Sequence, residues 1–265
     1  MPPRDGRQDS IAFPRLTLSL TIACAAGAPA FAWAGQVPPD VPSGLAPGAS
    51  YRLVFVTSGS TAASSSQVST YNTLATTDGN PLDPFTTWSA IVSTPTTDAI
   101  NNIACSPSCA NVPIYLVNGT EVASSATTSA GGLFSGALLH AIDLTQTGAA
   151  APVNPTFNNI KVWTGSTSAG TAASLTNGGP LGPTGSYASG TQHYPRTAAE
   201  YGLGSAAGAP WIAAGQFGDT GNYPVYAISG ALTAPADVPE PATIALLAAA
   251  AAGLGAVRRR RVPPA

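Results

Sequence analysis

Sixteen residues from Ala242 to Val257, almost all Ala, Leu and Gly, run without a charge into Arg258-Arg259-Arg260-Arg261. A helix of this composition has no polar face to turn toward water, and four consecutive arginines resist burial. The segment is therefore expected to lie in a membrane rather than in a protein core. At the usual helical rise it reaches about 24 Å, against a hydrocarbon core of about 30 Å. Arg258 can recover part of the deficit by extending its head group to the interface. Positive charge at one end places residues 258–265 inside the cell as a basic tail. Whatever folds in water must lie before residue 242.

The other end of the chain is also set apart. Arg4, Arg7 and Arg15 give it positive charge, Leu16 to Ala28 is apolar, and Ala32-Trp33-Ala34 fits an A-x-A cleavage site. Residues 1–34 are expected to be a signal peptide. Ala28-Pro29-Ala30 is a second candidate cleavage site, disfavoured by its proline. Thr21-Ile22-Ala23-Cys24 fits a lipid-attachment site poorly. A Pro/Gly-rich linker follows over 35–50, then a single globular domain over 51–233, a second linker over 234–241 and the apolar helix over 242–257.

Val238-Pro239-Glu240-Pro241 stands directly before that helix. The order of tripeptide, apolar helix and arginine cluster resembles the PEP-CTERM tail of exported bacterial proteins, which an exosortase recognises. The resemblance covers about the last thirty residues. It implies that Val238, Pro239, Glu240 and Pro241 form a sorting motif and that Arg258, Arg259, Arg260 and Arg261 form its basic stop. It also implies an exosortase and the export machinery as partners, and passage through the inner membrane. A thin, Ala-rich helix suits a segment that is later removed. Members of this class resemble components of systems that make extracellular polysaccharide, so that polymer is the implied partner outside the cell.

Between the two ends the bases are Arg52, Lys161 and Arg196. The acids are Asp40, Asp78, Asp83, Asp98, Glu121, Asp143, Glu200, Asp219 and Asp237. A net acidic domain has no basic patch with which to neutralise phosphates, which excludes nucleic acid as a partner. Adhesion to anionic lipid or to heparin-like polymer is disfavoured for the same reason. Ser, Thr, Gly, Ala, Asn and Pro dominate. Apolar residues still fall in discrete runs, so the reading is a folded core with long polar loops rather than disorder. Cys105 and Cys109 flank Ser106-Pro107-Ser108. In an exported protein the default is a disulfide closing a small loop. That spacing could also hold a metal, but no His or second Cys pair stands nearby.

Tyr51-Arg52-Leu53-Val54-Phe55-Val56-Thr57 reads as a strand. A helix capped by Ser66 is expected from Gln67 through Leu74, with Val68, Tyr71 and Leu74 on one face and Asp78-Gly79-Asn80-Pro81 as its stop. Strands follow at Thr87–Ser93, Val112–Val117 and Glu121–Ala123, the last two joined through Asn118-Gly119. A helical turn is expected near Thr97–Ile100, and Leu133–Leu144 could be a short helix or strand. Lys161–Gly165 stands alone, Ser166–Gly208 reads as loop, and Tyr223–Leu232 closes the domain. Pairing the first strand with the last gives a mixed, strand-rich α+β domain whose ends meet.

Trp88-Ser89-Ala90-Ile91-Val92-Ser93, Val112 to Gly119, Leu133-Phe134-Ser135-Gly136 and Val162 to Ser166 follow an order similar to the endostatin-type C-terminal domain of certain collagens. That resemblance spans Tyr51 to Leu232 and implies a C-type-lectin-like fold. The family's paired cysteines, basic heparin face and zinc-binding histidines have no counterparts here, so no ligand carries over.

A calcium site would need clustered carboxylates and amides. Asp219-Thr220-Gly221-Asn222 is the nearest candidate, and an Asp-stabilised turn accounts for it equally well. His140 and Asp143 would share a face if Leu138–Leu144 were helical, with His193 as a further imidazole. The nucleophile, base and orienter of a hydrolase are not arranged in any recognised motif. No catalytic residue, cofactor or metal is therefore assigned. Trp88, Trp163 and Trp211 sit in apolar runs and are expected in the core, at least the first two. Tyr187, Tyr194, Tyr201 and Tyr223 are candidates for an exposed, sugar-stacking platform. The expected function is that of a non-enzymatic exported protein of the cell surface or extracellular matrix. A glycan- or protein-binding lectin-like module is the alternative, and a hydrolase is third.

Overall fold

Every side chain of the first strand after Ser50 is buried, on both faces of a sheet. β1 (Ser50–Val56) sends Leu53 and Phe55 into one apolar cluster and Val54 and Val56 into another. The apolar run without polar alternation follows from this central position. The computed structural model describes residues 41–104, 111–154, 158–174, 178–183, 187–189, 192–194 and 197–235, with 187–189 and 192–194 as backbone only. All of these belong to one structural unit. The signal-peptide segment 1–34, Cys105 and Cys109, the side chains of Tyr187, His193 and Tyr194, the sorting motif, the apolar helix and the basic stop lie outside the described residues.

Around β1 the chain builds its main sheet. β2 (Thr61–Ala62) is followed by α1 (Val68–Gly79), β3 (Trp88–Ala90), α2 (Ala99–Asn102) and the hairpin β4 (Ile114–Leu116) to β5 (Glu121–Ala123). β4 runs parallel to β1, with Arg52 opposite Ile114, and β5 folds back antiparallel. Gly119 turns this hairpin at φ +84°, as the Asn-Gly dipeptide predicts. Past Lys161, β6 (Lys161–Trp163), the hairpin β7 (Tyr187–Ser189) to β8 (Gln192–Tyr194), β9 (Ala198–Leu203), β10 (Gly215–Gly218), β11 (Asn222–Tyr223), β12 (Tyr226–Ser229) and β13 (Leu232–Thr233) complete the fold. The main sheet has the order β3-β12-β1-β4-β5, with β13 also on β1.

The first strand does pair with the last. Val54 faces Ile228 and Tyr51 faces Leu232, both antiparallel. The expected closing strand is, however, three short pieces, because β11 leaves the main sheet to pair with β2. The reading of Ser166–Gly208 as loop is corrected: it contains β7, β8 and the six-residue β9, the centre of a three-stranded antiparallel sheet in the order β10-β9-β6. Leu133–Leu144 is neither helix nor strand. Its Leu133, Phe134, Leu138 and Ile142 are nonetheless buried in one cluster with Trp211 and Tyr226. The chain is thus a strand-rich α+β protein. Among the described residues no helix is long and apolar enough to cross a membrane.

Helix α1 starts one residue later than expected and runs to Gly79. Ser65, rather than Ser66, supplies a hydroxyl near its start, accepting the N–H of Gln67 at 3.2 Å. Tyr71 and Ala75 fill one core cluster. On the side toward α2, the Asn72 and Asn102 amides bond reciprocally at 3.0 and 2.9 Å. The same two groups take the N–H and C=O of Ala90 at 2.8 and 2.7 Å, so one amide pair joins both helices to β3.

Candidate functional site

Antiparallel register in the smaller sheet sets Trp163 opposite Tyr201, and Tyr201 opposite Gly215. Because side chains alternate along a strand, Lys161, Trp163, Tyr201 and Phe217 share one face. Tyr223 of β11 joins them edge-on, its ring 5.1 Å from Trp163 and 5.6 Å from Phe217. The Lys161 ammonium lies 4.5 Å from the Tyr201 ring centre, 4.4 Å from Phe217 and 5.8 Å from Tyr223. Ring faces carry negative quadrupole charge, so three rings take on part of a counter-ion's work. Burial lowers the Lys161 pKa from its ordinary value. It raises that of Tyr223, with Tyr201 adding to the effect. Tyr201, Phe217 and Tyr223 are half-buried. The result is a partly exposed aromatic patch with a cation beneath it.

The opposite face carries Glu200, only 8 % exposed. Burial raises its pKa to about 7, against a smaller opposing effect of the Gly215 N–H, which donates to its carboxylate at 2.8 Å. Trp163 is fully buried and donates its indole N–H to the carbonyls of Thr61 and Gly221 at 3.1 and 3.0 Å. That tryptophan ties β6 to β2 and to the turn before β11. Trp88 and Trp211 are buried as well. The expectation of core tryptophans holds, whereas Tyr223 is more enclosed than a free platform residue.

The candidates for chemistry are scattered. His140 is exposed, with Nδ1 2.7 Å from the Glu121 carbonyl, in irregular chain rather than on a helix shared with the exposed Asp143. The expected i, i+3 pairing on a helical face therefore has no helix to carry it. Asp219 is buried, and its carboxylate accepts a short hydrogen bond from the Thr197 hydroxyl. That bond ties the start of β11's approach to the residue before β9 rather than to the turn's own backbone, so the carboxylate is used across strands. Among the described residues no group of three His, Cys, Asp or Glu is placed to hold a metal.

Sequence reasoning missed Glu200, Phe217 and the grouping around Lys161. The signal lay in strand register, which local composition could not provide for a stretch as small-residue-rich as Ala198-Ala199-Glu200-Tyr201-Gly202-Leu203. The chain leaves the described fold at Pro235, beside the start of β1: Ala234 donates to Ala49 and accepts from Gly48 at 2.8 and 3.0 Å.

Just beyond that exit, residues 237–261 match the PEP-CTERM protein-sorting motif. Among curated proteins, none matches the chain. The match covers Val238, Pro239, Glu240 and Pro241 together with the arginine cluster. The chain therefore carries the signal of an exported exosortase substrate that passes through the membrane.

Proposed function

We propose that this is a non-enzymatic protein of the cell surface or extracellular matrix, held briefly by residues 242–257 and released by processing near Pro239-Glu240-Pro241. The observation that carries the reading is the sorting motif beginning two residues past the described end of a self-contained domain. Because β1 pairs with β12 and β13, a cut there removes no strand of the described fold. Extracellular polysaccharide is the proposed partner outside the cell, and processing delivers the charge-poor domain into it. Washing the matrix of the producing cells with high salt and then with a polysaccharide-degrading enzyme tests this. The domain should resist the salt wash and be freed by the enzyme. Recovery only from the inner membrane, or release by salt alone, would contradict it.

A second reading, a lectin-like binding module, is favoured by the patch of Tyr201, Phe217 and Tyr223 over Lys161. Paired end strands, two early helices and a second small antiparallel sheet are what a C-type-lectin-like fold would supply. A glycan array answers it. Hits lost on Tyr201→Ala or Tyr223→Ala would support a sugar-stacking role, and an array without hits, with or without calcium, would count against it.

A further inference from the structure

Phe85 is 89 % exposed, the most exposed large apolar side chain of the described fold. It sits in the turn after α1 and is held there: the Asp83 carboxylate accepts the Phe85 N–H at 2.8 Å, and the Trp88 indole donates to the Asp83 carbonyl at 3.1 Å. Several observations place this turn at the end of the sheet where the chain departs. Gly230 donates to the Thr87 carbonyl at 2.7 Å. Two residues on, Leu232 pairs with Tyr51. Asp83 is near enough to Tyr51 for its charge to act on the phenol. Pro81 and Pro84 of the same turn are exposed, as are Ala46, Pro47 and Pro235 where the chain leaves the sheet.

From Pro235 to Ala242 seven peptide steps reach at most about 25 Å. An apolar segment seated in the bilayer from residue 242 therefore keeps this end of the domain within about 25 Å of the membrane. We propose that the Phe85 turn is an interfacial foot, seated among the head groups of a zwitterionic bilayer until the tail is removed. The inference rests on the proposed membrane seating of residues 242–257. An aromatic ring in a turn (80–87) that carries Asp83 and no base suits the apolar margin of the head-group layer rather than an anionic surface. One ring is a weak anchor, so its work is orientation: it turns the edge from which the chain leaves at Pro235 toward the membrane.

The full-length chain, reconstituted into vesicles of brominated phosphatidylcholine, tests this with Phe85→Trp and, at the opposite edge of the main sheet, Leu139→Trp, whose parent side chain is 56 % exposed. Both are compared with the parent protein, and carbonate extraction checks seating of the tail. The emission added by Phe85→Trp should be largely quenched and that added by Leu139→Trp spared, with both proteins resisting extraction. Seated protein with neither emission quenched would overturn the foot and leave the anchor intact. Quenching of both would also overturn it, since the domain would then lie on the bilayer without preference. Extraction of the parent protein would remove the membrane seating, and the foot with it.

Discussion

Arg52 and Glu200 are two of the buried ionisable groups of this domain, and each sets a distinct response, one to mutation and one to pH. Arg52 is 2 % exposed and donates through Nε to the Ser229 carbonyl at 2.7 Å and through Nη2 to Ile103 at 2.9 Å. Burial lowers its pKa to about 10, which still leaves it charged at neutral pH. Those two bonds join β1, β12 and the end of α2. Arg52→Met should cost about 2 kcal/mol by chemical denaturation, the loss of two charge-assisted bonds offset in part by relief of desolvation. Arg52→Lys should recover only a fraction, since one ammonium cannot span both carbonyls. A fully stable methionine variant would contradict this account. For Glu200 the sign runs the other way from a salt-bridged acid. Its folded pKa, about 7, lies above its ordinary 4.5. Its contribution is therefore complete below 4.5 and is lost as pH rises toward 7, by at most about 3 kcal/mol. Glu200→Gln keeps an acceptor for Gly215 and should flatten that slope, so that the variant is more stable than its parent at pH 8 and matches it near pH 4. Denaturant titrations at the two pH values decide it.

At the scale of elements, the last residue of α1 is held to glycine by a neighbouring ring. A Cβ on Gly79 would lie 2.3 Å from the Trp88 ring. Alanine is the better helix former by about 1 kcal/mol, but forcing Trp88 out of the core costs about 1–3 kcal/mol. Gly79→Ala should therefore destabilise, and a raised melting temperature would show that Trp88 is free to yield. The sequence marked this glycine as turn chemistry without revealing the ring beside it. β1, the β4–β5 hairpin and β6 were legible because each is an apolar or β-branched run. β9 and β10 were not, because small residues and a buried acid give them no such run. Their existence depends on close approach: a Cβ on Gly202 would come within 2.0 Å of the Trp211 carbonyl oxygen. The same holds for Leu133–Leu144, where apolar content predicted regular structure. Burial there is achieved by irregular chain, whose backbone groups find partners elsewhere, as Leu138 does on Ala207.

For the whole molecule, the order of parts matters more than any single site. The paired end strands close the domain on itself and direct its exit toward the sorting motif at 237–261. That motif was readable residue by residue because sorting acts on a linear signal. The patch around Lys161 was not, because it assembles from β6, β9, β10 and β11, strands spread along the chain from Lys161 to Tyr223. In this reading the domain is exported and then parted from its tail. Intact mass and cell fraction of the native protein, with and without the exosortase, test that most directly. With the enzyme present, a species ending near Pro239-Glu240-Pro241 is expected outside the inner membrane; without it, a membrane-held species that keeps Arg258 to Arg261. A chain that retains those arginines in the inner membrane in both strains would contradict it.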